Sequence, residues 1–74
     1  MNIEVGKKYR HFKGKEYEVI AIGKHSETLE EMVVYKALYG NGDVWIRPLE
    51  MFTTKLDKNK YPDINQEYRF KEID

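Results

Sequence analysis

MVVYKALYGNGDVWIR, residues 32–47, is the stretch whose reading decides the fold. Two runs rich in β-branched and aromatic residues, 32–39 and 43–47, flank Gly40-Asn41-Gly42. Asn-Gly between apolar runs is a strong hairpin signal, because both residues tolerate positive φ. With Asn41 and Gly42 as a two-residue turn, Tyr39 faces Val44, Leu38 faces Trp45, Ala37 faces Ile46 and Lys36 faces Arg47. Alternation then places Val33, Tyr35, Ala37, Tyr39, Val44 and Ile46 on a core face. Val34, Lys36, Leu38, Trp45 and Arg47 share the other face. A three-residue loop would flip one strand relative to the other.

Outward from this hairpin, residues 16–24 (EYEVIAIGK) read as a strand whose apolar centre, Val19-Ile20-Ala21-Ile22, predicts cover on both faces. Residues 8–12 (KYRHF) form a shorter strand, joined to it by a tight turn at Gly14. In the polar connection 25–31, Thr28 and Glu31 have capping-box spacing, which suggests one helical turn. Pro48 lacks an amide hydrogen, so the fourth strand ends at or before Arg47. Residues 48–52 fit a helical turn with Leu49 and Phe52 inward, and 55–65 a charged loop. Residues 67–73 fit a last strand anchored by Tyr68, Phe70 or Ile73.

The expected fold is mainly β. It is a small antiparallel rolled sheet or SH3-like barrel of four to five strands with one or two short helical turns. A flatter sheet carrying one helix is the alternative. The 74 residues suit one domain, 1–74, burying roughly 60–65% of its unfolded surface. Six tyrosines, three phenylalanines and one tryptophan supply the core, and with no cysteine there is no disulfide or thiolate site. No run of about 20 apolar residues spans a membrane, and the N-terminus lacks a secretion signal, so the expected compartment is the cytoplasm.

Net charge is zero but uneven: residues 1–25 carry six basic and three acidic side chains, residues 26–50 two and five. Neutrality argues against nonspecific nucleic-acid binding, though not against a local site. In the hairpin register, Lys36 opposite Arg47 is a like-charge pair, destabilising by up to about 1 kcal/mol unless an acid or an anionic ligand intervenes. Trp45 beside it offers a stacking surface, and Trp and Arg are enriched at binding hot spots. The competing reading buries Trp45 as core and pairs Arg47 with Glu27 or Glu50. In the 8–12 strand, Tyr9 and His11 share one face, Arg10 and Phe12 the other, and His11 tolerates the core better than Arg10. Aromatic–basic strands of this kind also stack bases. His11 and His25 are the only histidines, too few and wrongly spaced for a metal motif. Ser26 next to His25 is no nucleophile–base pair, and Ser26 and Thr28 read as caps of loop amides. No catalytic residue, metal or cofactor is expected.

An ordered set of motifs follows: Tyr9-Arg10-His11-Phe12-Lys13-Gly14, His25-Ser26-Glu27-Thr28, Val33-Val34-Tyr35, Leu38-Tyr39-Gly40, and Trp45-Ile46-Arg47-Pro48 with Phe52. As a set, over residues 6–56 with a late Arg69-Phe70, they resemble the domain of unknown function 1653 family of small bacterial proteins. The stretch 55–66 fits that pattern poorly. The resemblance implies a compact β-rich domain and carries over no activity. It directs attention to Arg10, His11, His25, Ser26, Glu27, Thr28, Tyr35 and Arg47. With Trp45 these are the candidate binding residues. The expected function is a non-catalytic binding module whose groove is lined by Trp45, Arg47, Tyr35 and residues 25–28. Its ligand would be a small anion, a nucleotide or RNA segment, or a peptide. The alternatives are an interaction or homodimerisation domain, the chain being a monomer or weak homodimer, and a small enzyme using His25 or His11 with Glu27.

Overall fold

Runs rich in β-branched and aromatic residues produce strands β1 (Lys8–His11), β2 (Glu16–Lys24), β3 (Glu31–Ala37), β4 (Val44–Pro48) and β5 (Phe70–Ile73), with inward–outward alternation cleanest in β1 and β3. One short helix, α1 (Leu49–Phe52), follows β4. The computed structural model describes residues 2–73. The strands form one antiparallel sheet in the order β4-β3-β2-β1-β5. β4 and β5 do not pair with each other, so the sheet is rolled but not closed into a barrel. The roll still brings its two ends together: the Arg47 guanidinium of β4 lies 5.9 Å from the Phe70 ring of β5.

Tyr9, Val19, Val33, Tyr35, Phe52 and Phe70 form the buried core. Phe52 of α1 stacks on Phe70 at 4.0 Å with parallel planes. Tyr9 and Tyr35 present ring edges to Phe52 at 5.7 and 5.2 Å. α1 thus covers part of the inner face, with Leu49 packed at its margin. The long segment between α1 and β5 is tied down by the Gln66 side-chain amide, which donates to the carbonyls of Arg10, Tyr68 and Arg69. None of the described helices is long and apolar enough to cross a membrane.

The hairpin exists, but its register differs from the expected one. Lys36, not Tyr39, faces Val44; Tyr35 faces Trp45, Val34 faces Ile46 and Val33 faces Arg47. The shift is three positions, and an odd shift exchanges the faces of one strand. Its cause is the loop. A type I′ Asn-Gly turn needs positive φ at both central residues. Here Gly40 and Gly42 take that region, at 56° and 72°, and Asn41 does not. The Ala37 amide donates to Asp43 O at 2.8 Å and the Gly42 amide to Tyr39 O at 3.1 Å, giving the longer loop 38–42. Trp45 and Arg47 therefore point to the same side as buried Tyr35 and Val33. Val44 and Ile46, expected in the core, are 54% and 65% exposed. The Lys36–Arg47 clash does not arise.

Three further expectations are corrected. The apolar run of β2 is not covered on both faces: Val19 is buried, but a β-bulge at Ile20 shifts the register and Ile20 and Ile22 reach solvent. Pro48 belongs to β4, where it pairs with Met32, because an edge strand needs amide donors on one side only. Residues 25–29 close a single turn, the Leu29 amide donating to His25 O at 2.9 Å, but no helix is capped at Thr28. Thr28 Oγ1 accepts from the Glu30 amide at 3.2 Å, and Leu29 takes φ 63°. Since Phe52 and Phe70 are fully buried, Phe52→Ala or Phe70→Ala should each cost about 3–5 kcal/mol. Urea denaturation followed by circular dichroism reads this as a lowered midpoint or an unfolded chain.

Candidate functional site

The inner face of the sheet is longer than four-residue α1 can cover, and its uncovered part is hollow. Two hollows of about 210 and 200 Å³ lie there, sharing Tyr17, Tyr35 and Arg47. The first adds Tyr39 and Trp45; the second adds His11, Lys13, Lys15 and Phe70. Strand alternation explains the gathering. Tyr17 on β2 is two residues from buried Val19, and His11 on β1 is two from buried Tyr9. Trp45 faces Tyr35 across the ladder, and Phe70 faces His11. The turn after β1 brings Lys13 and Lys15 over the rim. No carboxylate lines either hollow. A larger hollow of about 560 Å³ beside β5 mixes Glu67 and Glu72 with Lys71, and so has no charge of one sign.

The Arg47 Nε donates to the Tyr35 hydroxyl at 3.2 Å, which fixes the plane of the guanidinium. Among the described residues Arg47 forms no salt bridge. The Tyr17 and Tyr39 hydroxyls share one hydrogen bond of 2.9 Å, and Lys15 Nζ sits 4.3 Å from the Tyr39 ring centre. Burial, then the hydrogen bond to Tyr39, pushes the Tyr17 hydroxyl up to about 12, so it remains a proton donor at neutral pH. His11 is half-buried against Phe12 at 4.4 Å and Phe70 at 5.1 Å. Its Nδ1 accepts the Lys13 amide at 3.1 Å. Burial first, then the positive charges of Arg69, Arg47 and Lys13, lower its pKa to about 4. The ring is therefore neutral under physiological conditions, in a positive local field.

Of the expected binding residues, the structure brings together His11, Tyr35, Trp45 and Arg47. Trp45 is 49% exposed and is not a core residue. Arg10 points to the outer face, where it pairs with Glu16 at 2.8 Å. His25, Ser26, Glu27 and Thr28 line neither hollow; they form the tip of the β2–β3 hairpin. There His25 Nδ1 accepts the amides of Glu27 and Thr28 at 3.1 and 3.3 Å. The two histidines flank opposite ends of nine-residue β2, roughly 30 Å apart at the usual strand rise. An acid–base pair between them is not formed. Lys13, Lys15, Tyr17, Tyr39 and Phe70 were not anticipated. The signals for them were the basic excess of residues 1–25 and the alternation that puts Tyr17 on the face of Val19.

Residues 7–72 match the family model described as "Protein of unknown function (DUF1653)". The chain belongs to the DUF1653 family. A crystal structure of a DUF1653 protein from Bordetella bronchiseptica is similar to it, with a TM-score of 0.78 and 27% identity. The match covers 97% of this chain and 88% of that one. No curated protein is a detectable sequence relative. The DUF1653 match runs from before β1 into β5, so the segment 55–66, which fits the motif pattern poorly, lies within the domain.

The depressed His11 pKa has a consequence for this DUF1653 domain. Between about 4 and the ordinary 6.5, the unfolded chain binds a proton at His11 that the folded chain does not. The stabilising contribution is complete above 6.5 and is lost as pH falls through 4. His11→Gln should flatten the dependence of unfolding free energy on pH between 4 and 6.5. The imidazole Cε1 proton of His11, followed by NMR, should titrate near 4.

Proposed function

We propose that this DUF1653 domain is a non-catalytic binding module that takes a small anionic ligand at the two adjoining hollows. The observation that carries this reading is the charge arrangement. Arg47, Lys13 and Lys15 converge on a surface without a carboxylate. With Nε engaged by Tyr35, the two terminal nitrogens of Arg47 remain to grip an oxyanion in bidentate fashion. The histidines support binding more than catalysis, since the Nδ1 of each is occupied by backbone amides. The compartment that goes with this reading is the bacterial cytoplasm. A bacterial family relative supports the bacterial part of this reading.

Titration of labelled protein with pyrophosphate, read by amide NMR, tests the proposal. Shifts should cluster at His11, Lys13, Lys15 and Arg47. Arg47→Met keeps the apolar stem and should weaken binding about tenfold or more, with little change in the melting temperature. An unshifted wild-type spectrum, or equal affinity in the variant, would sink the reading.

A second reading, homodimerisation, is favoured by β4. It is an edge strand whose outer face exposes Val44 and Ile46, and such edges pair with other chains. Sedimentation at micromolar to millimolar concentration decides it. A dimer that Ile46→Lys dissociates would support this reading, and a monomer throughout would remove it.

A further inference from the structure

We propose that the two hollows take a single nucleotide unit, its base on Trp45 beside the Tyr17 and Tyr39 hydroxyls and its phosphate at Arg47, Lys13 and Lys15. This rests on the anion-binding reading and goes on to name the ligand class. The two hollows differ in chemistry. One is walled by four aromatic side chains, Tyr17, Tyr35, Tyr39 and Trp45, with a single cation. The other sets His11, Lys13 and Lys15 beside Tyr17, Tyr35 and Phe70, and so holds more of the positive charge. Arg47 borders both, so a ligand that joins a flat ring to an anionic group would lie across it.

Trp45 is the sharpest indication of the ring. It is the only tryptophan, half-exposed at the mouth of the aromatic hollow. Tyr17 and Tyr35 each pack edge-on against neighbouring rings, whereas Trp45 is in no aromatic pair among the described residues. At 49% exposure it keeps surface for a stacking partner, and bases stack well on indole. The Tyr17–Tyr39 hydroxyl pair supplies an edge contact. Two hydroxyls joined by one hydrogen bond retain one O–H donor, aimed at no described protein acceptor. That donor suits a carbonyl or ring nitrogen of a base.

Size and charge limit the ligand. Neither hollow alone reaches the roughly 300–1,000 Å³ of small-molecule sites, so a ligand would have to extend across the Arg47 that borders both. Three cations without a carboxylate match a phosphate dianion. A long strand would need further phosphate contacts, and zero net charge does not supply them. Arg10, the next arginine along β1, is committed to Glu16.

The test uses wild-type protein and the single tryptophan as reporter. AMP, UMP, ribose 5-phosphate and inorganic phosphate are titrated while Trp45 fluorescence and amide NMR shifts are recorded. AMP or UMP should quench Trp45 and bind about tenfold or more tighter than ribose 5-phosphate. Trp45→Leu, followed by NMR, should reduce AMP affinity to that of ribose 5-phosphate, and Arg47→Met should weaken both. Because the ligand series alone decides the matter, a poorly folded variant does not rescue the idea. A preference below about tenfold, with ribose 5-phosphate still bound, overturns the nucleotide assignment and leaves the anion-binding module standing. No binding of any phosphate overturns both. With nucleotide preference established, the tetranucleotide AAAA separates the sources. Affinity equal to AMP assigns a free nucleotide, and tighter binding assigns a nucleotide within a short strand.

Discussion

The stack of Phe52 on Phe70 holds the rest of the structure together. One ring comes from the helix after β4, the other from β5, and these are the two ends of the strand order. No ladder joins β4 to β5; the ends meet through this packing and through backbone bonds between the residues after α1 and those before β5, the Leu56 amide to Glu67 O at 2.8 Å and the Arg69 amide to Thr54 O at 2.9 Å. A domain this small buries a limited share of its surface, so one contact between distant elements carries unusual weight. Tyr9 and Tyr35 complete it from β1 and β3 by presenting ring edges, the arrangement aromatic quadrupoles prefer.

The candidate site is what that packing leaves over. α1 is too short to roof the whole inner face, so the rings beyond Tyr35 line a cleft and not a core. There the cations keep solvent around them while their stems and faces contact aromatic rings, as Lys15 does on Tyr39 and Arg47 on Phe70. His11, lacking comparable access to water and surrounded by like charge, gives up its proton. The low His11 pKa and the absence of carboxylates from the lining express one electrostatic fact from two directions.

Much of this was legible in the residues. β2 falls where its residues indicated, the helical turn after Pro48 buries Phe52, and Phe70 anchors the last strand, because alternation and β-branching are strong local signals. The hairpin was legible as a hairpin; its register was not. Gly40 competes with Asn41 for the left-handed position, and that choice is worth less than the packing that follows from it. With the register went the facing of Val44, Ile46, Trp45 and Arg47. Tyr35, Trp45 and Arg47 nonetheless meet, on the inner face. His25 to Thr28 were expected beside them and lie at the hairpin tip, since nothing local encodes how far a loop stands from a cleft. Lys13 and Lys15 were read as a turn only, because their place over the rim depends on how the sheet rolls.

β5 is four residues long and hydrogen-bonds to β1 alone, yet its Phe70 walls the cationic hollow and faces both His11 and Arg47. The cleft therefore exists only while the last strand is docked. Phe70 is also half of the stack on Phe52, so β5 does not detach without opening the core. The wall of the cleft and the centre of the core are thus one residue. An occupant bridging Arg47 and the β1 turn would add its binding free energy to the stability of the whole fold.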